Sequence, residues 1–152
     1  VWVPYHATLQ RLLAEARRDA GLAILVDCHS MPHEAIDSIS SGGRTPDVVL
    51  GDRFGAAAAP EIVDRIEAAF AAAGLRVARN APFAGAYIAQ HYGRPSRGQH
   101  AVQVEIDRAL YMDEREIRPH GGFADLRATL TAVMGEIVDL ARPAEPLSMA
   151  AE

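Results

Sequence analysis

Residues 22–26 (LAILV) form a continuous apolar run that stops abruptly at Asp27, Cys28, His29 and Ser30. An uninterrupted run of this kind, placed directly after Gly21, reads as a strand buried on both faces, so it must lie inside a sheet that is covered on two sides. Its polar ending leaves two choices. Either the chain turns into solvent there, or the strand delivers reactive side chains to a site.

The rest of the chain repeats the theme. Residues 4–19 carry Leu9, Leu12, Leu13 and Ala16 on one helical face and end at Gly21. Residues 32–46 read as loop, with SSGGRTP its most open part, and 47–50 as a second short buried strand ending in GDRFG. A helix is expected over 60–73, with Ile62, Ile66, Ala69 and Phe70 inward and Gly74 as its stop, and a third strand over 75–78. Residues 80–98 mix Gly, Pro and aromatic residues and allow one short helix; 101–106 read as a fourth strand and 123–140 as a last helix. Helices alternating with short buried strands predict an α/β fold with a mostly parallel central sheet. With 152 residues the chain is sized for one domain.

Composition removes several functions. All 15 basic residues are Arg, so Schiff-base catalysis and a phosphate-loop lysine are excluded. A net charge of −5 argues against phosphate-backbone binding, hence no nucleic-acid partner. No apolar run reaches the roughly 20 residues of a membrane span, and no signal peptide is visible. The single Cys excludes an internal disulfide and suits a reducing cytoplasm. The chain opens with VWVPYHATL rather than Met, which reads as the interior of a longer sequence.

Four segments carry candidate chemistry. In open α/β sheets ligands bind beyond the carboxyl ends of strands, where DCHS and GDRFG both fall. Within DCHS, Cys28 and His29 are strand neighbours that point to opposite faces, which disfavours a thiol–imidazole dyad. No G-x-S-x-G elbow supports a serine hydrolase. A metal site with His29 as ligand, and Asp27 nearby to orient it, competes with a hydrogen-bonded loop histidine. His33 is expected to be a solvent-facing loop residue. In the second segment, residues 99–114, alternation puts Ala101, Gln103, Glu105 and Asp107 on one face and Val102, Val104 and Ile106 on the other. Polar residues in mid-strand face either a site or water, and Glu105 is the carboxylate best suited to general-base work. The third, QHYGRPSRGQH (90–100), sets Arg94 and His91 in a Gly/Pro loop, and Arg suits carboxylates. In the fourth, Asp52 and Arg53 of GDRFG are expected to pair with each other or to line a site. His6 and His120 have no supporting context.

Together and in this order, VWVPYHATL, VDCHSMP, PDVVLGDRFG, ARNAPFAGAYIAQHYGRP and GQHAVQVEIDRALYMDE resemble the N-formylglutamate amidohydrolase family. The resemblance implies a three-layer sandwich of the phosphorylase/hydrolase-like, zinc carboxypeptidase-like type. Residues 1–141 would be the C-terminal part of a single amidohydrolase domain and 142–152 a frayed tail. It implies a bacterial, cytoplasmic, metal-dependent hydrolase that cleaves the linear amide of N-formyl-L-glutamate to L-glutamate and formate in histidine degradation. It places a zinc-binding histidine at His29 and the catalytic glutamate at Glu105; Arg94, His91 and Arg53, from the loop and GDRFG segments, are then expected toward the substrate, a small N-acyl acidic amino acid. The family's HSG-type and NR-type motifs are missing from this sequence, so the other zinc ligands are expected upstream of Val1. A related N-acyl amino acid deacylase or carboxypeptidase-like peptidase is the alternative on the same scaffold, and a non-catalytic α/β binding module the alternative of another class.

Overall fold

The computed structural model describes residues 1–37 and 45–142. The chain opens with helix α1 (Trp2–Ala20), which ends where Gly21 takes a left-handed φ of 73° and donates its N–H to the Arg17 carbonyl. Strand β1 (Ala23–Met31) follows, then the short helix α2 (Glu34–Asp37), strand β2 (Val48–Gly51), helix α3 (Pro60–Ala72) and strand β3 (Val77–Arg79). Helix α4 (Tyr87–Tyr92), strand β4 (Gln99–Asp107), a small hairpin of β5 (Met112–Asp113) and β6 (Arg118–Pro119), and helix α5 (Phe123–Leu140) complete it. Most of the loop expected at SSGGRTP, and the tail expected from 142 onward apart from Arg142 itself, lie outside the described residues.

The main sheet has the order β1-β4-β2-β3. β1 pairs with β4 in parallel over all nine residues, and β2 with β3 in parallel; β2 and β4 are antiparallel. The fold is therefore mixed α/β with a mostly parallel sheet. Two expectations change. First, β1 does not end at Val26. Its polar residues 27–30 stay in the strand because their backbone is held by β4 along its whole length. Second, β2 runs against β1 and β4, and its carboxyl end at Gly51 stands opposite Gln103, in the same row as Asp27 of β1.

One face of the sheet carries the larger apolar core. Val48, Leu50, Val102 and Val104 pack there against Val63, Ile66 and Phe70 of α3 and Val133 and Ile137 of α5. The other face is covered in two patches. Leu13 of α1 and Tyr92 of α4 pack on Ala23 and Ala101 near the strand starts. Met31, Ile36 and Val49, with Phe83 and Ala78, pack near the opposite end. The backbone at Gly51 is met so closely by the Ala84–Gly85 peptide that an added Cβ would lie 2.4 Å from the Gly85 nitrogen. That glycine lets the loop after β3 lie flat on the sheet.

Helix α3 starts without a side-chain cap of its own. The buried His100 of β4 supplies one from outside, its Nδ1 accepting the Ala59 N–H at 3.1 Å. The acceptor nitrogen must be unprotonated, and burial pushes the His100 pKa down. A folded-state value below the unfolded value of about 6.5 means this contribution is present above that pH and is lost as pH falls through the folded value. Wild-type melting temperature should therefore drop from pH 7 to 5 by more than that of His100→Asn, which keeps an acceptor but cannot titrate. A cap of this kind contributes about 1 kcal/mol. Parallel pH profiles of the two proteins would remove His100 from this role.

Candidate active site

Between the two apolar patches the sheet carries a polar band. β-strand alternation puts Asp27 and His29 of β1 and Gln103 and Glu105 of β4 on one face. The parallel register sets Asp27 beside Gln103 and His29 beside Glu105. β4 is a central strand, so Gln103 and Glu105 are buried, at 4% and 7% exposure, rather than turned to water. Their polarity is answered locally. Gln103 Nε2 donates to Glu105 Oε1 at 2.6 Å, and Gln103 Oε1 accepts the Ala86 N–H at 2.7 Å.

On β1 the His29 side chain is 47% exposed, and its Nε2 lies 3.1 Å from Asp27 Oδ2. The alignment is too poor for a hydrogen bond, and that buried oxygen has no hydrogen-bond partner. An orphaned carboxylate oxygen beside an open imidazole suits a cation. Yet among the described residues no group of three His, Cys, Asp or Glu side chains converges to hold a metal ion. A catalytic zinc takes three protein ligands, so these residues do not by themselves fit one. Cys28 points away from His29 to the other face, and partial desolvation of its exposed thiol, followed by the charge of Asp27, pushes its pKa up, away from a thiolate nucleophile.

Beyond the band, His33 departs from the expectation of a solvent-facing residue. Its Nδ1 lies 2.7 Å from Asp107 Oδ2, its backbone N–H donates to Glu114 Oε1 at 2.8 Å, and its Nε2 lies 3.4 Å from Asp37. Asp107, 3% exposed, needs a partner, and its position two residues after Glu105 on the same face was the available signal.

Asp52 and Arg53 do not pair. Asp52 accepts from Asn80 Nδ2 at 2.6 Å and from the Gly55 N–H at 3.0 Å, while Asn80 Oδ1 accepts the Asp52 and Phe54 N–H groups. This lock holds Arg53 and Phe54 at left-handed φ of 57° and 54°. Such conformations cost energy for side chains with a Cβ and persist where the surroundings fix them. Arg53 is held over Gly85, next to the Ala86 that bonds Gln103. Asn80, itself at φ 58°, was missed; its tolerance of that conformation, just before Ala-Pro, was the only hint.

Arg94 is not brought to the band. Its Nη1 donates to the carbonyls of Gln90 and Gly93, and its backbone bridges Gln99 at the start of β4. That is six residues, roughly 20 Å of strand, from Glu105. His91 lies in a ring cluster with Tyr87, stacked at 5.1 Å, and with Trp2, Tyr92 and the buried His6, whose Nδ1 meets the Tyr92 hydroxyl. His120 bonds the Ala109 carbonyl. A cavity of about 560 Å³ opens against α5, lined by Ile106, Phe123, Leu126 and Leu130, and it reaches His29 round the edge of β1. It lies on the apolar face, away from Glu105.

Comparison with known proteins adds to this geometry. The model of the family described as N-formylglutamate amidohydrolase matches residues 1–112. The N-formylglutamate deformylase of Pseudomonas aeruginosa is 39% identical over 140 residues, covering 91% of this chain and 51% of its own length. That of Pseudomonas putida is 38% identical over 121 residues, covering 76% of this chain and 43% of its own length. The crystal structure of an N-formylglutamate amidohydrolase from Ralstonia eutropha JMP134 superposes with a TM-score of 0.77 at 33% identity, over 91% of this chain and 49% of that one. The chain thus spans about half the length of the curated relatives it matches.

The His33–Asp107 pair gives a pH test. The hydrogen bond to Asp107 raises the His33 pKa, with Asp37 and Glu114 adding to it against desolvation. A raised folded-state value stabilises below the unfolded value of about 6.5 and is lost as pH rises through the folded one. Amide exchange in residues 33–37, corrected for the intrinsic pH effect, should show weaker protection as pH rises from 6 to 8. His33→Gln should show no such trend, and an equal trend in both proteins would contradict the assignment.

Proposed function

This chain belongs to the N-formylglutamate amidohydrolase family, and from that premise we propose that it contributes the proton-transferring half of a site that hydrolyses the formyl amide of N-formyl-L-glutamate. The observation that carries the reading is the polar band, where a buried carboxylate on a central strand stands in register with an exposed imidazole between two apolar patches. A purely structural strand would fill those positions with apolar residues, as the opposite face of β4 does.

In this reading Glu105 accepts a proton from the attacking water and returns it to the nitrogen of the breaking C–N bond, so that formate and the free amine of glutamate leave. Arg53 is the cation available to a substrate carboxylate, held by a turn that fixes its backbone and matched to carboxylate by its planar fork. His91 and Tyr87 would border the substrate from α4. His29 is the ligand this chain would offer to zinc, the other ligands coming from the part of the relatives' length that it does not span. The complete domain would be a three-layer sandwich of the zinc carboxypeptidase-like type. Among the described residues no helix is long and apolar enough to cross a membrane. The single free Cys28 accords with work in a reducing cytoplasm, and the substrate proposed would place the reaction in histidine degradation.

Glu105→Gln in the full encoded protein tests the role, because the amide is nearly isosteric and keeps a partner for Gln103. Turnover of N-formylglutamate should fall by roughly 10²- to 10⁴-fold, about 3 to 5 kcal/mol of barrier, at an unchanged melting temperature. A variant that keeps full turnover, or loses stability while kcat per folded molecule stays at the wild-type value, would contradict it.

A further inference from the structure

Gln103 belongs to none of the roles above, yet it is the most completely bonded side chain in the band. At 4% exposure its amide spends both ends on named partners, Nε2 on Glu105 Oε1 at 2.6 Å and Oε1 on the Ala86 N–H at 2.7 Å. The second contact fixes the orientation of the first. A backbone N–H can only donate, so the amide oxygen must face Ala86 and the NH₂ must face Glu105. Ala86 is the residue immediately before α4 and ends the loop that lies flat on Gly51. Gly51 is the residue opposite Gln103 in β2. The loop therefore reaches the amide only because the strand beside it has no side chain.

Resting on the proposed role of Glu105, we propose that Gln103 is a positioning residue, which ties one carboxylate oxygen of Glu105 down and leaves the other for the water, while latching the loop before α4 to the same point. One rigid amide thus sets the general base and the wall that carries Tyr87 in a single frame. A carboxylate held by one oxygen loses the rotation that would spoil proton transfer, and misplacement by about 1 Å can cost on the order of 10²-fold.

Two variants separate the contacts. Gln103→Met has nearly the same length and loses both; Gln103→Glu keeps an acceptor for Ala86 but puts a carboxylate against Glu105. In the full encoded protein both should lower kcat by about 10- to 100-fold. Hydrogen exchange of the Ala86 amide should quicken by about tenfold or more in Gln103→Met and stay near wild type in Gln103→Glu. Gln103→Glu with kcat within twofold of wild type would overturn the inference. So would an Ala86 amide that exchanges equally fast in wild type and Gln103→Met, a reading that needs no turnover. Glu105→Gln run alongside keeps the two levels apart: if it alone is inactive, only the role of Gln103 falls, whereas if it is active, the functional reading falls.

Discussion

The nine-residue parallel pairing of β1 with β4 is the constraint on which the rest depends. Parallel pairing aligns equivalent residues on the same face, so a single register decides which side chains of two distant segments meet. Here it sets His29 beside Glu105 and Asp27 beside Gln103. A slip by one residue would turn the β1 pair to the α5 side and put Val26, Cys28 and Ser30 against Gln103 and Glu105. The apolar face resists that slip. Ile24 and Val26 already pack there with Val102 and Val104 under α3 and α5, and their exchange for Asp27 and His29 would bury charge without partners.

The band itself is a local departure from a well-packed core. Burying a carboxylate costs several kcal/mol unless hydrogen bonds replace its water. Glu105 has one such bond, from Gln103, while Asp27 leaves an oxygen without one. Apolar patches flank the band on both sides. Stability is given up in one place, beside strained backbone at Arg53 and Phe54, and that coincidence is characteristic of sites that do chemistry.

Much of this was legible in the sequence. Alternation along β4 separated Gln103 and Glu105 from Val102 and Val104, and helix periodicity with Gly stops found α1 and α3, because those signals are local. The extent of β1 was not, since hydrophobicity cannot tell a polar residue that leaves a strand from one that stays in it; only the distant β4 decides. The antiparallel course of β2 was hidden for the same reason, and with it the fact that GDRFG and DCHS begin in one row on either side of Gln103. Arg94 drew attention by its composition; its Nη1 bonds the neighbouring carbonyls of Gln90 and Gly93, an arrangement that only the folded chain shows. Asn80 escaped notice, and the bonds of His33 were not foreseen, because their partners, Asp52 and Asp107, are 28 and 74 residues away.

The central claim is that the polar band, and not the cavity against α5, receives the substrate. Amide and side-chain chemical-shift mapping of the full encoded protein during titration with L-glutamate, the expected product, addresses it directly. The account predicts saturable shifts at His29, Gln103, Glu105, Ala86 and the Arg53 guanidinium. Shifts confined to Tyr111, Phe123, Arg127 and Thr131, which line the cavity on the opposite face, would contradict it.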